Sequence, residues 1–482
     1  MNNIRLTVVA THPIQYYAPW FRHIANKCPE IDLTVIYAVN PTPEQQGTGF
    51  DRAFSWDVDL TEGYKCHVLR RAKPGEDLAC SSFRGVDVPE IVSAIREANP
   101  NVVLIFGWHS ITLVRALLAC RRLGIPVLYR GDTYTNSYVG WRRILWEIRT
   151  RMVLHLFSGL LSVGKRSREY LHHFGISETK IFNSPHAVDN QFFYAKASEW
   201  QNGKRSATRQ SLGLDPESFV VLFAGKLEEK KRPVDAIRAV RQLGDGASLL
   251  IAGSGHLEGE CRREAAANGV RVAWSGFLNQ SEMGRAYAAA DCLVLPSDER
   301  ETWGLVVNEA MATGLPCVVS DRVGCAPDMI VAGETGELFT MGNREALGGA
   351  LRRVRLQLAN GKDYSAACRA RATLHSFERA TTGLLAACES VVKKRRSRQR
   401  VLACCGTMVN VFGLERMTFE VLRVLRTRGV PVHCIVNSWE NHRIVDLAEP
   451  VGASWSAGYY LSNLRRKFGQ QDVTRPEMPG IE

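Results

Sequence analysis

Short apolar runs recur along this chain with amphipathic stretches between them, and this alternation restricts its fold more than any other feature. From residue 4 to about 190 the runs are RLTVVA, DLTVIY, NVVLIF, PVLYR and GLLSV, with EIVSAIREA and TLVRALLACRRLG among the stretches between them. Runs of this kind suit buried parallel strands whose crossover helices cover both faces of a sheet. The pattern predicts a doubly wound α/β domain. The polar stretch AKASEWQNGKRSATRQ (195–210) interrupts it, and FVVLFAG, SLLIAGSG, VRVAWSG, DCLVLPS and PCVVSD start it again. Two such domains are expected, 1–200 and 201–392, the second closed by helical sequence from about 343.

The basic run KKRRSRQR (393–400) reads as a linker, solvated or in contact with acidic lipid. Beyond it, VLACCGTMVNVFGLERMTFEVLRVLRTRGVPVHCIVNS has the order strand, loop, long amphipathic helix, strand, with Gly413 and Glu415 opening the helix. Residues 401–482 are too few for a third domain of the same size. They read as an incomplete Rossmann-like segment.

Chemistry concentrates where DCLVLPSDERETWG, a buried strand leading into a polar loop, meets GLVVNEAMATG, a helix ended by glycine. In open α/β sheets ligands bind beyond the carboxyl ends of strands, where helix N-termini aim free N–H groups at anions. Trp303, Gly304, Leu305 and Val306 are placed to offer those amides, with Thr302 beside them, and Gly304 would let a phosphate approach the backbone. Glu301 falls in the loop, and Glu309 lies about 1.5 turns into the helix, ~7 to 8 Å along its axis. A carboxylate accepts two hydroxyl hydrogen bonds, so this pair suits a diphosphate with a sugar at each end. Phosphate also calls for cations. FAGKLEEKKRP (223–233) supplies Lys226 and Lys231 after Gly225, at the end of the second domain's first strand.

These segments resemble the family-four glycosyltransferases of the GT-B fold, retaining enzymes built from two facing Rossmann-like domains. In that family a glycine-arginine-leucine run followed by a lysine binds the donor diphosphate; Lys226 stands in the arginine's place and Lys231 in the lysine's. Two glutamates separated by seven residues form the family signature, matched by Glu301 and Glu309. The resemblance implies that Glu301 holds donor-sugar hydroxyls and Glu309 the nucleotide ribose. Gly253 and Gly255 in IAGSGHL, Gly276 in WSGFL, SPHAVDNQFF (184–193) and GETGELF (333–339) also match. The likeness covers residues 4 to about 390, and the tail resembles the start of a second such enzyme.

In the first half, THPIQYYAPWFR (11–22) follows the first strand, with His12 and Gln15 facing the expected cleft; a rigid turn is the structural alternative. NVVLIFGWHS brings His109 to a strand end, and PVLYRGDTYTN brings Arg130 and Asp132. Many family members carry a histidine where Asp132 stands. Asp132 or His109 would orient a sugar hydroxyl or accept the acceptor's proton, or else serve structure alone. Asp57-x-Asp59 resembles a metal-binding pair of a different glycosyltransferase fold, but no metal is expected, because the lysines and the helix terminus already serve the diphosphate. Acceptor contact or loop structure accounts for the pair.

Net charge of +12 at pH 7 admits nucleic acid, an anionic membrane or anionic small molecules as partners. No basic segment interleaved with aromatics appears, so nucleic acid is not expected. WRRILWEIRTRMVLHLF (141–157) reads as a core-packing helix with a basic face or as one lying on a membrane. The absence of a long apolar run and of a signal peptide predicts a cytoplasmic protein, peripheral at most on the inner face of the membrane. The 13 cysteines include no C-x-x-C pair and are expected to be free thiols.

The expected activity is transfer of a sugar from a nucleoside diphosphate sugar, the donor substrate, to a hydroxyl of a glycan or lipid-linked acceptor in cell-surface polysaccharide synthesis, with no cofactor. A nucleotide-sugar epimerase or hydrolase of the same fold, or a non-catalytic scaffold, is the alternative. Intact Lys231, Glu301 and Glu309 argue against the scaffold.

Overall fold

The computed structural model describes residues 3–73, 75–76, 82–134, 140–201 and 203–398, together with residues 421 and 424 and the strands within 401–457. Two parallel sheets dominate. The first has seven strands in the order β3-β2-β1-β4-β5-β6-β7. In chain order these are β1 Ile4–Ala10, β2 Ile31–Asn40, β3 Cys66–Arg71, β4 Val102–Phe106, β5 Val127–Gly131, β6 Gly159–Ser162 and β7 Ile181–Asn183. The second has six, in the order β10-β9-β8-β11-β12-β13. They are β8 Phe219–Ala224, β9 Ala247–Ala252, β10 Val272–Gly276, β11 Cys292–Leu295, β12 Cys317–Ser320 and β13 Gly336–Phe339.

Every residue of β8 and β9 is buried, as strands covered on both faces require. In both sheets the order reverses beside the first strand, β1 pairing with β2 and β4, and β8 with β9 and β11. Between such neighbours the crossovers leave in opposite directions, and a crevice opens at their carboxyl ends. The loops at those ends are 11–16 and 107–110 in the first sheet, and 225–232 and 296–304 in the second. They carry His12, Gln15, His109, Lys226, Lys231 and Glu301 to Gly304, whereas Arg130 and Asp132 lie at the end of β5 and Gly253 and Gly255 follow β9.

The helical sequence after 343 does more than close the second domain. Helix Arg344–Ala359, N-capped by Asn343, packs there through Leu347, Leu351 and Val354. Helix Phe377–Arg398 packs on the first domain instead. Trp20 Nε1 donates to Thr381 Oγ1 at 3.0 Å, and Ser184 Oγ donates to the Ala380 carbonyl at 2.9 Å. Residues Met1–Glu389 accordingly form one unit. The basic run is helical as far as Arg398, because lysine and arginine are good helix formers that extend a helix already nucleated.

The second unit, Ser390–Glu482, contains a three-stranded parallel sheet, β14 (Val401–Met408), β15 (Val432–Trp439) and β16 (Ser454–Ala457). Gly413 and Glu415 lie outside the described residues.

Candidate active site

A cleft of about 700 Å³ opens between the carboxyl ends of the two sheets. Its second-domain wall begins where the backbone turns from β11 into helix Leu305–Ala312. Gly304 caps that helix with φ = 93°, a left-handed conformation. A Cβ there would stand 2.8 Å from Leu295 Cδ2 and 3.1 Å from Val323 Cγ1. Glycine is therefore required by the turn and by core packing on its inner side, a reason distinct from phosphate approach. The Trp303 side chain is likewise core: its ring lies 5.3 Å from that of His186, and its Nε1 donates to Asn308 Oδ1 at 2.8 Å. What Trp303, Gly304, Leu305 and Val306 present to the cleft is consistent with an amide wall, and all four line it.

The loop after β8 forms the neighbouring wall. Gly253 and Gly255 support it from beneath: a Cβ on Gly253 would run into the Gly225 carbonyl, and one on Gly255 would come within 2.7 Å of the Leu227 carbonyl. Lys231, in the tight turn Glu229–Lys231, forms an ion pair with Glu301 across the head of the 305–312 helix. Both side chains are largely buried, which strengthens the attraction beyond that of a surface pair.

Lys226 is placed differently from Lys231. Its Nζ donates to the Thr48 carbonyl at 2.7 Å and sits 4.9 Å above the Phe50 ring. Both partners belong to a segment of the first domain that follows β2 and straps across to the second. Ser254 Oγ donates to the Phe50 carbonyl (2.7 Å), and Asn279 Nδ2 to the Ser55 carbonyl (2.9 Å). Phe54 packs on Phe277 with centroids 4.2 Å apart, directly after Gly276. The strap also includes Asp57, with Asp59 just beyond it. Asp57 accepts from the Ser281 amide (3.0 Å), whereas Asp59 accepts from the Thr61 and Glu62 amides (2.7 and 2.8 Å). Asp57 thus ties the strap to the second domain, and Asp59 shapes its own loop.

Glu309 is 4% exposed, and its Oε2 accepts a hydrogen bond from the Tyr287 hydroxyl at 2.6 Å. Tyr16, from the first domain's loop, is bonded to it as well. Burial raises the Glu309 pKa to about 7, against the opposing pull of both phenols and of the Lys231 charge. This carboxyl thus changes charge near neutrality.

On the facing wall, His12 and Gln15 line the cleft with Tyr16. His12 Nδ1 is 3.0 Å from Thr11 Oγ1, and burial, helped by His109, lowers its pKa to about 4, so it is neutral at pH 7. Asp132 Oδ2 accepts from Thr302 Oγ1 at 2.7 Å and lies 3.6 Å from His186 Nε2. Burial pushes its carboxyl up, but the adjacent His186 imidazole and the Thr302 bond outweigh it and hold the pKa at about 2. Asp132 is therefore ionised.

His109 and Arg130 do not line the cleft. His109 is exposed beside it. Arg130, expected on the acceptor side, is 2% exposed; its guanidinium lies 4.7 Å over the Trp20 ring and donates to the Ser184 and Pro185 carbonyls. An arginine at the last but one position of β5 points into the layer below, and its role is to anchor β7's exit. His186, Tyr16, Tyr287 and the strap were not anticipated as site residues. SPHAVDN contained the signal for His186, while a phenol bonded to Glu309 depends on side-chain packing that spacing does not encode.

The architecture defines the class: two facing Rossmann-like domains with the cleft between them, which is the GT-B fold. Within it, residues 204–369 match the glycosyl transferases group 1 family. Among solved structures, sucrose-phosphate synthase from Thermosynechococcus elongatus superposes with a TM-score of 0.58 at 18% identity, covering 80% of this chain and 98% of its own. Anabaena Alr3699/HepE in complex with UDP and glucose does so with a TM-score of 0.59 at 14% identity, covering 80% and 100%. Among curated proteins, the sulfoquinovosyl transferase SQD2 of Arabidopsis thaliana is 26% identical over 283 residues, 53% of this chain and 50% of its own length. A D-inositol 3-phosphate glycosyltransferase of Mycobacterium sp. (strain KMS) is 36% identical over 143 residues, 28% of this chain and 32% of its own. The chain thus spans half or less of the length of these two curated relatives.

Proposed function

We propose that this protein is a retaining glycosyltransferase that moves a sugar from a nucleoside diphosphate sugar to a hydroxyl of a glycan or lipid-linked acceptor, in cell-surface polysaccharide synthesis. One observation carries the reading: the Lys231–Glu301 pair sits at the N-terminus of helix 305–312, with Glu309 buried further along it in the same cleft. An arriving diphosphate competes with Glu301 for Lys231. Freed of its partner, Glu301 accepts hydroxyl hydrogen bonds from the donor sugar, while Glu309 receives the ribose in place of Tyr16. Lys231 and the helix-terminal amides then stabilise charge developing on the leaving diphosphate, the largest electrostatic demand of the step.

No nucleophile is assigned to the reacting face, so a front-face displacement is favoured, the departing phosphate helping to deprotonate the acceptor. Asp132, ionised and exposed on one edge, is the residue best suited to orient the acceptor hydroxyl. The relatives support the donor class, since the Anabaena protein was solved with UDP and glucose and the curated relatives are named a sulfoquinovosyl transferase and a D-inositol 3-phosphate glycosyltransferase. A lipid-linked acceptor would make the protein a peripheral partner of the membrane. The test is to incubate nucleotide sugars with and without hydroxyl acceptors. Acceptor-dependent release of the nucleoside diphosphate with retained anomeric configuration is expected; turnover of the donor alone would indicate an epimerase or hydrolase.

A further inference from the structure

Helix Gly140–His155 is built inside out for a helix of a water-soluble domain. Its inner face is held by Thr150 and Leu154, with Trp146 packed on Phe174 and Tyr170. Diametrically opposite, at 100° per residue, Trp141, Ile144, Leu145, Ile148 and Met152 fall within an arc of about 100°. They are 67%, 61%, 56%, 52% and 67% exposed. Five of the fifteen exposed large apolar residues among those described thus lie on this one 16-residue helix. Isolated exposed apolar side chains are ordinary, but a continuous stripe marks a surface that is covered in use.

Charge decides what covers it. Arg142 and Arg149 border one edge of the stripe and Arg151 the other, all exposed. The helix's single acidic residue, Glu147, is paired with Arg143 on the side away from the stripe. Apolar side chains flanked on both edges by arginine match a surface that is apolar inside and anionic at its rim, which is an acidic lipid bilayer. A second copy of this helix would instead bring arginine against arginine.

We propose that helix 140–155 is a membrane-docking element that lies in the interface of an anionic bilayer, with Trp141, Ile144, Leu145, Ile148 and Met152 among the acyl chains and Arg142, Arg149 and Arg151 at the phosphates. The helix belongs to the first domain and begins eight residues beyond Asp132, which lines the cleft, so docking here would hold at the lipid surface the domain that carries the acceptor side. The inference deepens the lipid-linked acceptor reading and rests on it only for what the cleft would take from that surface.

Flotation of the full chain with vesicles, in the absence of donor and acceptor, tests the docking apart from the chemistry. Binding is expected to vesicles of phosphatidylcholine and phosphatidylglycerol in equal parts, and not to phosphatidylcholine alone at physiological salt. Ile144→Ser/Ile148→Ser should lower the binding about tenfold or more, since both side chains lose their burial in the acyl region, with the thermal unfolding midpoint unchanged. Arg142→Gln/Arg149→Gln should remove the preference for phosphatidylglycerol. No binding by the wild-type chain, or undiminished binding by the isoleucine variant, as the basic run at 393–400 alone would give, would overturn the proposal. So would a concentration-dependent dimer in light scattering that the isoleucine variant dissolves. Vesicle binding by a chain that binds no nucleoside diphosphate would leave the docking surface standing and remove the transferase reading.

Discussion

A carboxyl group taken out of water holds its proton to unusually high pH, and Glu309, with a pKa of about 7 despite two phenol hydrogen bonds, does so in the free protein. Its folded-state pKa is raised, so the stability it confers is full below the unfolded value near 4.5 and is lost as pH rises through about 7. The wild-type melting temperature should therefore fall from pH 5 to pH 8 by more than that of Glu309→Gln, as scanning calorimetry of the two would show. Ribose hydroxyls need the carboxylate as acceptor, so nucleoside diphosphate affinity should rise with pH up to about 7 and lose part of that dependence in Glu309→Gln. Lys231→Ala removes the cation that faces the departing diphosphate. Turnover should drop by on the order of a hundredfold or more in steady-state assays, comparable to the loss of an oxyanion donor; a folded, fully active variant would remove the phosphate assignment. Asp132 and His186 show how little of such detail a sequence carries: the aspartate was visible at a strand end, but the histidine that helps keep it ionised comes from a loop 54 positions later.

Elements were easier to anticipate than side-chain contacts, because strand and helix follow from periodicity along a few residues. FVVLFA and SLLIA announced buried strands, and the reversal beside β1 and β8 fixes which loops meet in the crevice. The strap of residues 41–57 has no such periodicity. It is held by carbonyl bonds and by Phe50, Phe54 and Trp56 packed edge-on or tilted against Phe277, contacts between segments far apart in the chain. Lys226, placed beside Lys231 by spacing and by the family resemblance, does line the cleft, and its ammonium also holds the strap through the Thr48 carbonyl. Lys226→Ala should expose 41–57 to limited proteolysis and weaken donor binding several-fold, with a smaller effect on turnover than Lys231→Ala. Equal loss of turnover in the two variants would restore Lys226 to the diphosphate.

For the whole molecule, the residues of the cleft run from His12 to Glu309, all within the unit Met1–Glu389. The return of helix 377–398 to the first domain ties the two sheets together without help from the tail. Deleting residues 400–482 should therefore leave transfer activity intact. It should also improve solubility, since a small parallel sheet leaves edges and faces that favour association. Loss of activity in a folded deletion variant would mean that the tail contributes to the site or to acceptor capture.

The central claim is that one helix N-terminus with its flanking carboxylates reads both ends of a nucleoside diphosphate sugar. Calorimetric titration of the wild-type, Glu301→Gln and Glu309→Gln proteins with the nucleoside diphosphate, set beside transfer rates for the same three, tests it most directly. Glu309→Gln is predicted to weaken binding of the free nucleoside diphosphate, whereas Glu301→Gln leaves that binding nearly unchanged and impairs sugar transfer. Equal losses of nucleotide affinity in the two variants, or none in either, would contradict the assignment.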